Sequence, residues 1–283
     1  MNRPFLENPL FAPLDDLLRR LPGAPCSLEA LNGLLAQLRP GARSGGGASL
    51  RFVPPPAPDD MGYEARIHRH GAVPTRPDNW HDFFNALVWC AFPRAKAALN
   101  ARHVEEIARR GAVRLPGRGP VRDALTQFDE CGVVVVSSDA SLCDLLRAQR
   151  WEEAFWHRRG ELTQGMRFIV FGHATYDSLR TPFVGLCGKA WYRVVDPDWL
   201  AWPLVAQREE LDAWLARKVA DPACLRQPKA LHPLPLLGIP GVTADNGSAE
   251  YYRDTRQFRP RAPDRPAEGK AGSRNQGAGH QIC

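Results

Sequence analysis

The chain has 283 residues, of which 44% are hydrophobic and 24% charged, a balance that is ordinary for a globular protein with a sizeable core. Its formal net charge of +6 is concentrated at the end, because residues 251–283 contain seven basic and only three acidic side chains. The rest of the chain lacks the charge excess of a nucleic-acid-binding domain. Composition therefore argues against a nucleic-acid partner.

The seven cysteines are scattered, odd in number and without CxxC spacing. This pattern argues against a zinc ribbon or a disulfide framework and is typical of a reducing cytosol. The first residues lack the continuous apolar region of a signal peptide, and no stretch reaches the ~18 apolar residues of a membrane span. We therefore expect a cytoplasmic protein without a membrane span.

Apolar residues at helical spacing predict an N-terminal helical segment over residues 1–40, in which Ser27 caps the second helix. Glycine and proline are dense over residues 41–60, which we interpret as a linker or loop around the strand-like sequence LRFV. Residues 61–258 are predicted to form a single globular α+β domain. Residues 259–283 have almost nothing to bury and are predicted to form a disordered basic tail.

Inside the globular domain, the alternating sequence YEARIHRHGAV predicts a strand or hairpin arm that ends at Gly71. Glu64 and Arg66 would point to one side of this strand and form structural charge pairs. Further along, DALTQFDEC predicts a short helix capped by Asp123. Asp139 is predicted to cap a long helix, LCDLLRAQRWEEAFWHRR.

Three sequences predict buried or half-buried strands: VVVV, MRFIVFG and VGLCGKAWYRVV. The Pro/Gly-rich stretch HPLPLLGIPGVTADNGSAEYYRDTRQFRP predicts an irregular segment that wraps over the body. Strands are few, helices are many, and a regular βαβ alternation is absent. The predicted fold class is therefore α+β, mainly helical, with a small mixed sheet.

The stretch NWHDFFNALVWCAFPRAKAALNARH predicts an αα-hairpin at residues 79–110, with Pro93 at the start of its second helix. Each helix carries a polar stripe at helical spacing: His81 and Asn85 on the first, and Lys96, Asn100 and His103 on the second. Two stripes that face a common cleft would offer metal ligands, hydrogen-bond donors and a general base. The alternative is a pair of water-facing stripes with capping groups.

Three further polar groups are candidate site residues. Asp129 and Glu130 lie near a helix end, where they could bind a metal, act as acid and base, or pair with an arginine. His173 follows a predicted strand and a glycine, a common place for site residues, although a lone histidine is more often a packed residue. Arg76 lies in a turn and is a candidate clamp for an anion. The sequence contains no P-loop, GxSxG or HExxH motif.

Four stretches resemble a bacterial family, the domain of unknown function numbered 3025: GAVPTRPDNWHDFFNALVWCAFPRAKAALNARH, RDALTQFDE, FGHATYD and PLPLLGIPGVTADN. The resemblance extends from about Tyr63 to Phe258 and includes the polar residues selected above. Gln127 and Cys187 depart from it, since an apolar residue and a threonine are expected there. The resemblance implies a proteobacterial, cytoplasmic protein and implies no activity.

Together these observations predict an enzyme with a polar cleft between the helical hairpin and one edge of the sheet, and a hydrolase, in one version metal-assisted, as its class. The predicted catalytic residues are His81, Asp82, His103, Asp129 and His173. The predicted substrate-binding residues are Arg76, Asn85, Lys96, Asn100 and Glu130, of which Arg76 and Lys96 would bind an anionic group. A divalent metal is the candidate cofactor, and a small molecule or a protein is the candidate partner.

The competing hypothesis is a non-catalytic binding or scaffold protein. Its polar stripes would form a buried hydrogen-bond network that fixes the register of the helices. Exposure discriminates the two hypotheses, because network residues are buried and mutually satisfied whereas site residues line an open pocket.

Overall fold

The computed structural model describes residues 4–57 and 59–260, so most of the predicted basic tail lies outside the described residues. The α-helices are α1 (Asp15–Arg19), α2 (Leu28–Leu38), α3 (Tyr63–His70), α4 (Trp80–Ala91), α5 (Pro93–Ala112), α6 (Pro120–Cys131), α7 (Ala140–Arg147), α8 (Arg159–Gly165), α9 (His173–Ser178), α10 (Pro197–Leu200) and α11 (Leu204–Ala220). The strands are β1 (Arg51–Val53), β2 (Ala72–Pro74), β3 (Gly132–Ser137), β4 (Met166–Val170), β5 (Cys187–Val194) and β6 (His232–Pro235). Helix predominates over strand, which confirms the predicted α+β class.

Shorter helical turns complete the description. The 3₁₀-helices are Pro4–Glu7, Pro9–Leu14, Pro228–Ala230, Leu236–Gly238, Ala244–Gly247 and Glu250–Arg253, and a π-helix covers Glu153–His157. Within the described ranges, no helix is both long enough and apolar enough to cross a membrane.

The larger sheet has four strands in the order β4-β3-β5-β6. β3 pairs antiparallel with β4 and parallel with β5, and β5 pairs antiparallel with β6, so the sheet is mixed, as predicted. Every residue of β3 is buried, as its continuous valine run predicts. Because β3 begins where α6 ends, the last turn of α6 lies at one end of the sheet.

Helices α4 and α5 form the predicted αα-hairpin around one non-helical residue, Phe92. Residues 83–91 of α4 are all buried, so α4 is a core helix. Helix α11 packs along α5, and its Asp212 carboxylate accepts hydrogen bonds from the backbone N–H groups of Arg94 and Ala95 at 3.2 and 2.8 Å. A carboxylate from a neighbouring helix therefore caps α5.

The N-terminal helices pack into the same core as the sheet and the hairpin. Phe11 is fully buried, and its ring centroid lies 5.9 Å from that of Phe84 on α4 and 5.4 Å from that of Tyr176 on α9. Arg208 of α11 donates to both carboxylate oxygens of Asp16 on α1. The Gly/Pro-rich segment after α2 contributes β1, which pairs in parallel with β2.

The strand predicted for YEARIHRH is wrong, because these residues form α3. Ile67 is the buried residue of α3. With so few apolar residues, the alternation of polar and apolar side chains does not distinguish an exposed helix from a strand. Gly71 ends the helix with a φ of 62°, and its N–H donates to the carbonyl of Ile67. On this helix Arg66 pairs with Asp59.

The predicted long helix after Asp139 is also wrong in its length. Asp139 does cap α7, since its carboxylate accepts from the N–H of Ser141 at 2.8 Å. The helix ends at Arg147, and Gln149 has a φ of 58°, which turns the chain before the π-helix. The turn allows Phe155 to reach the core, where it is fully buried.

Two other boundaries differ from the predicted ones. Helix α6 begins at Pro120 and not at the predicted cap Asp123, because proline at the first helical position loses no backbone hydrogen bond. The stretch predicted to be irregular contains β6, and its prolines are tolerated because β6 is an edge strand.

The buried cap of α5 makes stability depend on pH. Burial raises the pKa of Asp212 to about 6, so the folded state holds this proton more tightly than the unfolded state. The stabilisation that comes from this tighter proton binding is complete below about pH 4 and is lost as pH rises through about 6. Relative to D212N, we expect the free energy of unfolding of the wild type to fall by about 2–3 kcal/mol across that range. Urea denaturation of both proteins at several pH values measures this difference, and a difference independent of pH would contradict the prediction.

Candidate metal centre

Residues of α3, α4, α5, α6 and α9 line an open cleft of about 900 Å³. Most of the predicted site residues lie on its wall: Arg76, His81, Asp82, Asn85, His103, Asp129, Glu130 and His173. Lys96 and Asn100 lie behind this wall, beside a small internal cavity that His103 and Asp129 also line. The structure therefore brings the two polar stripes and the three further polar groups of the sequence to one place.

Three of these side chains direct ligand atoms at one point. His81 Nε2 lies 3.0 Å from His173 Nε2, and Glu130 Oε2 lies 3.4 Å from His173 Nε2 and 3.8 Å from His81 Nε2. Tetrahedral zinc with bonds of about 2.0–2.1 Å keeps its ligand atoms about 3.3 Å apart. The observed separations bracket that value, so this triad of His81, Glu130 and His173 could hold one divalent cation.

The path of the chain explains how the triad assembles. Since β4 runs antiparallel to β3, the end of β4 lies beside the last turn of α6. At Gly172 the two backbones approach so closely that a Cβ would lie 2.4 Å from the carbonyl oxygen of Glu130 and 2.5 Å from the nitrogen of Gly132. Glycine therefore allows His173, at the start of α9, to lie against Glu130. Helix α4, which packs on α9, supplies His81 from its first turn.

The buried member of the triad is held in the form that binds metals. His173 is only 4% exposed, and burial lowers its pKa to about 3, so the imidazole is neutral at physiological pH. Its Nδ1 has no hydrogen-bond partner among the described residues and lies 3.9 Å from Asp129 Oδ2. A carboxylate beside the second nitrogen is the usual surrounding of a metal-binding histidine. Burial also raises the pKa of Glu130.

Lys96 and Asn85 are satisfied inside the protein and do not reach the cleft as free donors. The Lys96 ammonium donates to the two oxygens of Asp129 at 2.6 and 2.8 Å and to Asn85 Oδ1 at 2.9 Å. Asn85 Nδ2 donates in turn to the hydroxyl of Tyr63. Although burial acts in the other direction, the Lys96 ammonium holds the pKa of Asp129 below its ordinary value. All three ammonium hydrogens are therefore used within the protein.

Arg76 and Asp82 also neutralise each other. The Arg76 guanidinium donates from two nitrogens to both oxygens of Asp82, at 2.8 and 2.9 Å, and the backbone N–H of Arg76 donates to the same carboxylate. This bidentate pair occupies the groups that were expected to bind substrate and to act in catalysis. It lies at the edge of the cleft, and neither residue belongs to the triad.

Glu64 is a cleft residue that the strand prediction missed. Its Oε2 and its backbone carbonyl accept hydrogen bonds from Asn100 Nδ2 at 2.8 and 2.9 Å. Burial raises the pKa of Glu64 to about 7 and lowers the pKa of His103, on the same wall, to about 4. The signal for this helix was Gly71, a helix-ending residue placed four positions after the apolar Ile67.

Three arginines that the sequence did not single out line the cleft as well: Arg69, Arg118 and Arg122. Arg118 donates to the hydroxyl of Thr126. Within residues 4–57 and 59–260, neither Arg69 nor Arg122 pairs with a carboxylate. The chain has many arginines, and nothing in the spacing of these three distinguishes them.

Comparison with known proteins identifies the family of the chain. A family model described as "Protein of unknown function (DUF3025)" matches residues 50–262, which include all the residues of the cleft. No curated protein and no solved structure matches the chain.

Substitution of Gly172 tests the backbone geometry that assembles the triad. In G172A the new Cβ collides with backbone atoms, so the start of α9 must move away from α6. We expect the affinity for zinc to fall about 10–100-fold although every ligand side chain is retained. Isothermal titration with zinc measures this loss. The matched control is G160A, where a Cβ meets no atom within 4 Å, and equal affinities of G172A and G160A would contradict the prediction.

Proposed function

We propose that this chain, which belongs to the DUF3025 family of proteins of unknown function, is a metal-dependent hydrolase that acts on a small anionic substrate in the cleft. The observation that carries the proposal is the triad, whose three ligand atoms lie within 4.8 Å of one another. The triad borders open space, since the side chains of His81 and Glu130 are 37% and 36% exposed. A substrate could therefore approach a cation held there.

The ligand set suits a catalytic cation better than a structural one. Structural zinc sites are closed by four protein ligands, whereas catalytic sites have three and leave one position for water or substrate. Two histidine nitrogens and one carboxylate are compatible with zinc and with other divalent transition metals. A cation there would polarise the substrate and lower the pKa of a bound water to about 7.

Glu64 is suited to be the general base. A base works best when its pKa is near the operating pH, and burial raises the pKa of Glu64 to about 7. The hydrogen bond from Asn100 Nδ2 to Glu64 Oε2 orients this carboxylate on the wall of the same cleft. In this role Glu64 would take a proton from the attacking water.

The buried residues behind the cleft would act by positioning. Asp129 lies beside the second nitrogen of His173, and Lys96 keeps Asp129 ionised and in place. Asn85 orients the Lys96 ammonium. We therefore assign Lys96, Asn85 and Asp129 to the support of the triad and not to substrate contact.

The scaffold hypothesis has one observation in its favour, which is that this buried network is mutually satisfied. Lys96 is 4% exposed, Asn85 is 6% exposed, and both have partners within the protein. In a purely structural network the residues would be buried, whereas the side chains of His81 and Glu130 are 37% and 36% exposed on an open wall. We propose a cytoplasmic location as well, because the seven cysteines of the sequence are scattered and odd in number, which is typical of a reducing compartment.

Metal binding is the first test of the proposal. We expect the protein grown in metal-supplemented medium to retain about one divalent cation per chain, measured by elemental analysis. H81A, H173A and E130Q should each retain much less, while H157A, whose side chain is 62% exposed, should retain as much as the wild type. Failure of the wild type to bind any divalent cation would contradict the proposal and favour the scaffold hypothesis.

The role of Glu64 is tested by the dependence of the rate on pH. With p-nitrophenyl acetate and p-nitrophenyl phosphate as probes, we expect kcat to rise with pH through about 7, because the base must be deprotonated. E64Q keeps the acceptor for Asn100, so it should bind the cation normally. Its kcat should fall about 10²–10⁴-fold and lose the inflection. An unchanged pH profile in E64Q would exclude this role.

A further inference from the structure

We propose that Arg122, together with Arg118 and Arg69, forms an oxyanion-binding subsite that holds a phosphate or carboxylate group of the substrate away from the metal centre. The inference rests on the proposed function, because it names the class of substrate that the cleft takes. The subsite lies towards the start of α6, whereas the triad lies at its end.

One face of α6 runs from the proposed subsite to the triad. Arg122, Thr126, Asp129 and Glu130 follow one another at i, i+4, i+7 and i+8, and all four line the cleft. Eight residues at a rise of about 1.5 Å separate the Cα atoms of Arg122 and Glu130 by about 12 Å along the helix. The helix therefore fixes the spacing between the two positions that carry the Arg122 guanidinium and the Glu130 carboxylate.

Among the described residues the guanidinium of Arg122 forms no ion pair, although its charge acts on Glu64 without a hydrogen bond between the two side chains. Within the same residues its Nε is buried without a hydrogen-bond acceptor. A buried donor without a partner is rare in folded proteins and calls for an explanation. An oxyanion in the cleft supplies the missing acceptor and charge, since a guanidinium binds phosphate or carboxylate with two parallel hydrogen bonds.

The neighbouring groups support the same assignment. Besides burial, the charges of Arg122 and Arg118 contribute to the lowered pKa of His103, so both guanidinium groups act on the wall of the cleft. Arg69 on α3 lines the cleft as well and has no carboxylate partner among the described residues. The ion pair of Arg118 with Asp123 is weak, because the two charged atoms lie 3.8 Å apart and both side chains are more than half exposed.

Lys96 and Arg76, which the sequence predicted to bind an anionic group, are held by other partners within the protein. Lys96 gives its three hydrogens to Asp129 and Asn85, and Arg76 binds both oxygens of Asp82. Anion binding therefore passes to Arg69 and Arg122, which form no ion pair among the described residues, and to Arg118, whose ion pair with Asp123 is exposed. A cleft of about 900 Å³ is large enough for a drug-sized ligand. The substrate is therefore a small molecule whose anionic group lies near the start of α6 while the bond that is hydrolysed lies near its end.

Calorimetric titration of the full-length, metal-free protein with inorganic phosphate and, separately, with acetate tests the subsite. We expect R122A to weaken binding of the preferred anion at least 10-fold. R122K should weaken it less, because it keeps the charge but loses the pair of parallel guanidinium donors. R20A, which removes an exposed arginine outside the cleft, should bind as the wild type does. Stronger binding of phosphate identifies a phosphorylated substrate, and stronger binding of acetate identifies a carboxylated one.

The H173A variant separates this inference from the proposed function. If the subsite is distinct, H173A loses the divalent cation but keeps the affinity for the anion. Loss of anion binding in H173A with full binding in R122A would overturn the subsite, because the anion would then depend on the triad. Absence of any anion binding by the wild type would overturn it too, even if the protein binds a cation as proposed.

Discussion

The ion pair between Lys96 and Asp129 is the interaction on which the geometry of the cleft depends. One buried ammonium group joins α5 to α6 through Asp129 and to α4 through Asn85. Breaking such a buried pair from one side costs about 3–5 kcal/mol, because the remaining charge has no partner. Asp129 directly precedes Glu130, so the same contact fixes the direction in which α6 presents Glu130 to the two histidines. The buried network and the exposed triad are thus two parts of one arrangement.

The helical hairpin was predictable because its signals are local. Apolar spacing on α4, the proline at the start of α5 and the polar stripes all follow from residues close together in the sequence. The central strand was predictable for the same reason, since a run of valines has few alternatives to a buried strand. These local patterns also placed His81 and His103 on the wall of the cleft, where the structure has them.

The sequence predicted a shared cleft, but not that His81, Glu130 and His173 would be its closest group, because that depends on tertiary structure. His81, Glu130 and His173 are separated by more than 40 residues at each step and come together only through strand order and the close approach at Gly172. Glu64 was missed because α3 buries a single apolar residue, which leaves too weak a periodicity to distinguish helix from strand. The pairing of Arg76 with Asp82 likewise could not be read from the sequence, which does not say which charges are neutralised within the protein.

The cap that Asp212 places on α5 has a consequence for the motions of the cleft. Helix ends ordinarily fray, but here the first N–H groups of α5 are held by a carboxylate of another helix, one turn or less from Lys96. Movement of the rear wall would therefore require loss of this cap and of the packing of α5 against α11. Residues 113–118, between α5 and α6, are all exposed, and their restraints are exposed contacts such as the hydrogen bonds from Arg110 to the carbonyls of Pro116 and Gly117. The open cleft thus has one wall fixed by buried contacts and, beside Arg118, a surface connection of the kind that moves on the nanosecond to microsecond time scale.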